Sequence, residues 1–353
     1  MRSVAPADHV QITTSVPREQ WEQIHARDPC ALIAQAPAWI DCLTASSYSG
    51  ATRMYESASG WRAVLPMVRR ASPWPRTIAP QLSMPNAWGM GGLICESPPS
   101  SSELEAVAAD LRSLTAISTR IRPNPLRADQ WTGLRGPRVV TIPRLAHVID
   151  LDGGASGVWG RMAKKARQGV RRGERSALEI ECDSSGRLVP VFYDLLMLSV
   201  ERWAAHQHEP PALARWRARR RDPLEKFQRL AAELGDAMRV WVAWKDGEPA
   251  AAMVVLIGAN ASDTRGAMNK DLAAPTNAND ILQWRAIEDA CEAGCRHYHL
   301  GESGQSRSLA NFKEKFTAYP VPYAEYVIER ASITKADAAA RGAVKRALRF
   351  RDV

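Results

Sequence analysis

The stretch from residue 280 to 316 constrains this chain most. It reads D-ILQWRAIEDACEAGC-RHYHL-GESGQS-RSLANFKEKF. Ile281, Trp284, Ile287 and Cys291 recur at helical spacing, and Asp280 with Gln283 three residues on makes a capping-box pattern. Gly294 marks the helix end, and Tyr298 to Leu300 suits a short buried strand. The strand runs out into Gly301-Glu302-Ser303-Gly304, followed by a lysine-loaded helix start. A helix leading to a buried strand with a polar end belongs to an α/β protein, and strand-end loops are where such folds keep their chemistry.

The remaining chain has room for two cores. At 353 residues it exceeds one ordinary domain. The pattern divides it into an N-terminal domain over 1–145, a second domain over 146–334 and a basic helical tail over 335–353. In the first, residues 52–57 and 61–68 form a hairpin around Ser59-Gly60, 103–117 an amphipathic helix, and 118–122 and 139–148 strands. The Pro-, Gly- and Trp-rich segment 73–99 reads as an irregular surface. In the second, 158–175 reads as one helix carrying Arg161, Lys164, Lys165, Arg167, Arg171, Arg172 and Arg175 against Glu174 alone. A second cluster, Arg215, Arg217, Arg219, Arg220 and Arg221, surrounds Trp216. It reads either as an exposed linker or as a surface for nucleic acid, where phosphate pairing and base stacking act together. Asp246-Gly247 between apolar runs predicts another hairpin.

Charge narrows the partners. A net charge of +9 favours an anionic one. No helix-turn-helix or zinc-finger pattern is present, so DNA is not an expected partner. The six cysteines are dispersed, which argues against a disulfide framework. Cys291, Cys295, His297 and His299 lie close in sequence but match no common zinc spacing, so no metal is expected. Phosphate-loop, dinucleotide and G-x-S-x-G motifs are absent. No signal peptide and no run of about 20 apolar residues is visible, so no membrane span and a cytoplasmic location are expected.

Several motifs in order resemble the Fem-like branch of the GNAT acyltransferase superfamily, which includes CelD/BioF-like acetyltransferases. They are Gln35-x-Pro37-x-Trp39, Leu65-Pro66 followed by Arg69-Arg70, Trp159 with Lys165 and Arg167, and Gly247-x-Pro249-x-Ala251. Pro275 through Gly294 and Phe312-Lys313-Glu314-Lys315-Phe316 complete the series. The resemblance covers most of the chain, more fully in its second half. It implies an α/β (α+β) fold of two GNAT-like domains, each a twisted mixed sheet flanked by helices.

The resemblance also implies function. Fem-type proteins transfer an aminoacyl group from aminoacyl-tRNA to an amine, on a peptidoglycan precursor or a peptide-like small molecule; other members use acyl-CoA. Acyl-CoA in such a fold is gripped by a glycine-rich loop and the helix N-terminus after it. Residues 270–279 here contain no glycine, include Pro275, and lead to Asp280. Aminoacyl-tRNA is therefore the expected co-substrate and acyl-CoA the alternative, with no other cofactor; a non-catalytic nucleic-acid-binding protein on this scaffold is a further alternative. By resemblance Lys313 stabilises the oxyanion, and Glu302 binds the acceptor amine or takes its proton. Arg161, Lys164, Lys165, Arg167, Trp39, Phe312 and Lys315 are assigned to substrate, and Arg171, Arg172, Arg215, Arg217, Arg219 and Arg220 to tRNA. Where the family often has an acidic residue this chain has His299, which leaves the base open.

Overall fold

The structure is a computed structural model, and it describes residues 10–71, 75, 78–304 and 306–347. The elements in order are β1 (Val10–Thr13), α1 (Arg18–Arg27), α2 (Pro37–Thr44), β2 (Tyr48–Gly50), β3 (Arg53–Ser57), β4 (Arg62–Leu65), β5 (Val68–Arg70), β6 (Gln81–Ser83), β7 (Ile94–Cys95), α3 (Ser101–Ser113), β8 (Ser118–Ile121) and β9 (Val139–Asp150). There follow α4 (Gly154–Arg161), α5 (Lys164–Arg175), β10 (Leu178–Asp183), α6 (Val189–Gln207), α7 (Pro211–Arg221), α8 (Leu224–Leu234), β11 (Met238–Lys245), β12 (Glu248–Leu256) and β13 (Ala261–Met268). The chain closes with α9 (Lys270–Thr276), α10 (Ala278–Glu292), β14 (His297–Glu302), α11 (Arg307–Glu314), β15 (Tyr319–Glu329) and α12 (Ile333–Ala347). Arg349 and Arg351 of the basic tail lie outside the described residues.

The chain divides into two compact units, Met1–Arg144 with Pro322–Asp337, and Leu145–Val321 with Ala338–Val353. The sequence division differs in placing 322–334 with the second domain. Tyr326–Glu329 of β15 instead pair antiparallel with β8, which returns this stretch to the first unit.

In the first unit, β15, β8, β6, β5 and β2 are neighbours in that order, and β1, β3, β4 and β7 form a four-stranded sheet. One parallel pair, β6 with β8, is joined through α3. The segment around 84–95 is irregular but is no surface: Met84, Trp88, Met90, Leu93, Ile94 and Cys95 are buried. Its backbone is held by side chains of the Gln35-x-Pro37-x-Trp39 motif. Gln35 Nε2 donates to the carbonyls of Gly91 and Gly92, and Trp39 Nε1 donates to that of Trp88. Pro37 opens α2, where its missing N–H costs nothing.

In the second unit the order is β10-β11-β12-β13-β14-β9, again with one parallel pair, β13 with β14, joined through α9 and α10. Asp246 and Gly247 take positive φ between β11 and β12, as the hairpin pattern requires. The expected helix over 158–175 is broken. Met162 is extended, so α4 ends at Arg161 and α5 begins at Lys164, and Arg167 Nη1 takes the carbonyls of Trp159, Gly160 and Met162. The expected loop over 270–279 forms the short helix α9. The capping box at Asp280 is not made either: α10 starts two residues earlier, after Asn277 in a left-handed conformation.

Helix α5 lies on α10 at close range. A Cβ on Gly173 would meet Ile281 Cβ at 2.8 Å, and one on Gly169 would meet Asp280 Oδ2 at 1.9 Å. Val170, Ala166, Ile281, Trp284 and Ile287 share the core that this approach builds over β12 and β14. Gly173→Ala should therefore lower stability by about 1–3 kcal/mol despite its better helix propensity. Gly160→Ala, on exposed α4 with nothing within 4 Å of the new Cβ, should be neutral or stabilising by up to about 1 kcal/mol. Urea unfolding midpoints of the two variants make the comparison.

Candidate functional site

The site is built where two parallel strands part. β13 and β14 pair only at Ala261 with Tyr298 and Ser262 with His299, and the ladder ends there although both strands continue. On its other side β13 bulges at Thr264, between the pairs Val255–Asp263 and Val254–Arg265. A bulge turns the strand and re-aims its side chains. Further along, Met268 N–H and C=O are both engaged by Ser199 Oγ, and the carbonyl also accepts from Arg202 Nη1, so α6 holds the far end of β13.

Polar groups converge at the fork. Tyr298 Oη donates to Asp263 Oδ1 at 2.5 Å. Loss of hydration pushes the Asp263 carboxyl up to about 7, against the hydrogen bond from Tyr298, the charge of Lys313 and the amide of Gln283 from α10. Burial and the Asp263 carboxylate hold the Tyr298 hydroxyl well above its usual range. Lys313, only 5% exposed on α11, donates through Nζ to the carbonyls of Gly301 at 3.0 Å and Glu302 at 2.8 Å. Burial lowers its pKa to about 8, with Asp263 and Glu302 opposing the fall. At neutral pH the lysine stays charged.

A second set touches the first. His147 of β9 is wholly buried; its Nδ1 lies 3.2 Å from Ser303 Oγ and its Nε2 3.6 Å from Glu314 Oε1. Burial and then the nearby Lys313 charge lower the imidazole pKa, with Glu314 opposing, which keeps the ring neutral. His299 is also buried, its pKa falling to about 3 through loss of hydration, and neither ring nitrogen has a hydrogen-bond partner.

The helix terminus beside the fork already contains an anion. Asp280 is the third residue of α10, where the first-turn N–H groups attract negative charge. Its carboxylate meets Lys315 Nζ at 2.6 Å and lies against Gly169 of α5. Lys315 is further fixed over the rings of Phe312 and Phe316. The first unit repeats the arrangement with other residues. Glu103, third in α3 and 3% exposed, accepts from the Ser100 N–H and from Ser57 and Ser59. Burial alone would raise the Glu103 pKa; these hydrogen bonds outweigh it and lower the pKa.

The residues assigned from sequence are dispersed. Glu302 and Lys313 come together, with Phe312 on the same helix as Lys313 and Lys315 capping its C-terminal end. Ala163 N–H donates to the Lys315 carbonyl, which brings the start of α5 to the end of α11. Lys164, Lys165, Arg171 and Arg172 line the exposed face of α5, Arg171 stacking on Trp159. Arg161, though exposed, donates to the carbonyls of Asp150 and Asp152, and the half-buried Arg167 to those at the end of α4. Trp39 is 2% exposed in the first unit, a core residue rather than a lining one. The cluster 215–221 is helix, not linker: Ala214 and Ala218 pack on Val200 and Ala204 of α6. Arg215 pairs with Glu201 and Arg217 with Glu209, whereas Arg220 stacks on the exposed Trp216. Asp263, Gln283, His147 and Ser303 were missed. The available signal was a histidine inside the apolar run Leu145-Ala-His-Val-Ile149. Cys295 Sγ donates to the Gly258 carbonyl and His297 Nδ1 meets Asn260, and among the described residues no group of three or more His, Cys, Asp or Glu could hold a metal.

Residues 160–314 match the family described as Acetyltransferase (GNAT) domain. No curated protein matches the sequence. Among solved structures, FemX superposes with a TM-score of 0.65 at 10% identity, covering 90% of this chain and 97% of its own. A conserved protein of unknown function from Bacteroides thetaiotaomicron gives 0.53 at 10%, covering 90% and 99%. A tandem GNAT protein from the clavulanic acid biosynthesis pathway gives 0.52 at 11%, covering 92% and 99%. At these identities the likeness is one of fold, that of two GNAT-like domains in tandem.

The basic helix α7 is tied to the fork through Asp222, which is 1% exposed and meets Lys226, Arg221 and Arg265 of β13. Burial would raise its pKa, but the three cations, Lys226 foremost, hold it well below the usual carboxylate range. A carboxylate with a depressed folded-state pKa stabilises above its unfolded value, about 3.9, and that contribution is lost as pH falls further. Asp222→Asn should cost about 3–5 kcal/mol at neutral pH, because it removes the buried carboxylate that Lys226 and Arg265 both pair with. Denaturant unfolding at pH 7 measures this.

Proposed function

We propose that this chain, which has the Fem-like GNAT fold and a GNAT domain over residues 160–314, is an acyltransferase that forms amides with aminoacyl-tRNA as donor. The acceptor in this reading is an amine on a peptide-like small molecule or a peptidoglycan precursor. The observation that carries the donor choice is Asp280. A pyrophosphate at the α10 terminus would sit against a carboxylate already held by Lys315 and by the packing of α5. Glu103 gives the first unit the same built-in anion. An acyl-CoA enzyme needs one such terminus open. A tRNA needs none, because its phosphates pair with surface cations, and α5 and α7 present them on exposed faces.

The chemistry follows from the fork. Aminolysis of an ester passes through a tetrahedral oxyanion, and a fixed cation in a dry site stabilises that charge most. Lys313 is held there by two backbone carbonyls, leaving the third of its N–H groups for the oxyanion. Glu302 and Asp263 keep it protonated at neutral pH in spite of burial. Glu302 also remains the residue nearest in sequence for binding the incoming amine. In this reading the reaction requires Lys313 charged, so the rate falls as pH rises through about 8.

The test is transfer of a labelled amino acid from a charged tRNA mixture to a small-molecule amine pool. Ribonuclease-sensitive transfer supports the reading. Transfer that needs only acyl-CoA overturns the donor, and RNA binding without transfer of either kind favours a binding protein. Lys313→Ala should lower the rate about 100- to 1,000-fold. Lys313→Arg, charged at all accessible pH, should remove the alkaline decline. A Lys313→Ala variant near the wild-type rate would remove the residue from this role.

A further inference from the structure

The ladder between β13 and β14 ends with Ser262 beside His299, and Asp263 is the first residue of β13 beyond it. Its carboxylate therefore stands at the root of the fork. Tyr298 Oη, from the facing strand, fixes Oδ1 at 2.5 Å. The Gln283 side chain comes from α10 and the charge of Lys313 from α11. An ionised carboxylate has about four acceptor sites, so these neighbours leave room for a further proton donor. Asp263 is half-buried: deep enough to lose hydration, yet with part of its surface open. The other titratable side chains at the fork do not combine these properties. His147 and His299 are shut in at 0% and 2% exposure. Tyr298 is wholly buried and its hydroxyl already donates to the acid. Lys313 is committed as the cation. Glu302 ends β14, three residues past the last pair, where it can receive the amine.

We propose that Asp263 is the general base of the transfer, taking the proton of the acceptor amine and returning it to the leaving group. The inference rests on the acyl-transfer reading but not on the identity of the donor. The neutral amine nitrogen bonds to the carbonyl carbon of the activated acyl group, and the oxyanion forms beside Lys313. The nitrogen's proton passes to an oxygen of Asp263. The intermediate collapses with breakage of the bond to the donor's alcohol oxygen, or thiol sulfur, which leaves with the proton from Asp263. An amide and a free alcohol or thiol result, and Asp263 is again a carboxylate. The acyl group passes directly from donor to amine, and no further reactant is needed. A base works best when its proton affinity lies near the working pH. Lost hydration brings the Asp263 pKa up to about 7, and Tyr298, Lys313 and Gln283 limit the rise. The base must be unprotonated and the cation charged, so the rate rises with pH through about 7 and falls through about 8.

Two measurements on the full-length chain test this, one of them without substrate. Carbon-13 NMR of the aspartate carboxyls follows Asp263 as the signal absent from Asp263→Asn. Its midpoint should lie at about pH 7. The midpoint should rise in Tyr298→Phe and in Lys313→Ala, because each removes a group that favours the carboxylate. The second measurement is the pH profile of transfer to the amine pool, from charged tRNA or from acetyl-CoA. Asp263→Asn should lower the rate about 100-fold or more and abolish the acid limb. Tyr298→Phe should move that limb upward together with the carboxyl midpoint, which a merely structural aspartate would not do. A midpoint below about pH 5 overturns the proposal. So does a folded Asp263→Asn variant that keeps the wild-type rate or the acid limb. No transfer by the wild-type chain from either donor, with Asp263 titrating at about 7, would contradict the acyl-transfer reading alone.

Discussion

The carboxylate of Asp280 at the head of α10 is the constraint on which the second unit depends. The helix terminus is positively polarised, and an acid in its first turn satisfies that field permanently. Lys315 closes over it from the end of α11, and Gly169 lets α5 approach close enough to shut the remaining side. Three helices are thereby fixed around one ion pair that is mostly withdrawn from solvent. The cost of removing the charges from water is offset by the pairing, the helix field and the aromatic rings beneath Lys315. A site where many proteins place a phosphate has become a structural joint.

That joint shapes the chemistry beside it. With the terminus filled, the fork between β13 and β14 is crossed by protein groups: Tyr298 and Gln283 reach Asp263, and α11 sends Lys313 to the end of β14. Burial brings the lysine's pKa down to about 8, and the facing carboxylates of Asp263 and Glu302 limit how far it falls. Asp263 and Lys313 thus hold each other's charge in a poorly hydrated place. Such mutual tuning of an acid and a base is common where proton transfer or charge stabilisation is performed.

Much of this was legible in the sequence, and the failures have physical causes. Periodicity located most helices and strands, and Asp246-Gly247 announced its hairpin. Lys313 was singled out by resemblance and Glu302 by its place at a strand end, and the structure brings the lysine's Nζ to the Glu302 carbonyl. The break between α4 and α5 was invisible because the helical pattern of 158–175 is continuous; in the structure a side chain, Arg167, takes the carbonyls at the end of α4. Asp280 was read as a capping residue and as an obstacle to phosphate, yet its partner Lys315 and the close helix α5 required the fold. Basic residues looked alike in one dimension. In three, Arg161, Arg167 and Lys315 serve the backbone and the ion pair, while Lys164, Lys165, Arg171 and Arg172 face solvent. His147 was hidden because its partners Ser303 and Glu314 lie more than 150 residues away in sequence.

The claim that these helix termini are closed to a nucleotide pyrophosphate has a direct measurement, calorimetric titration of acetyl-CoA into the full-length chain at low salt. The account predicts no saturable heat up to about 1 mM ligand, since a pyrophosphate must displace Lys315 and approach Asp280. Saturable one-to-one binding with a micromolar Kd would contradict it.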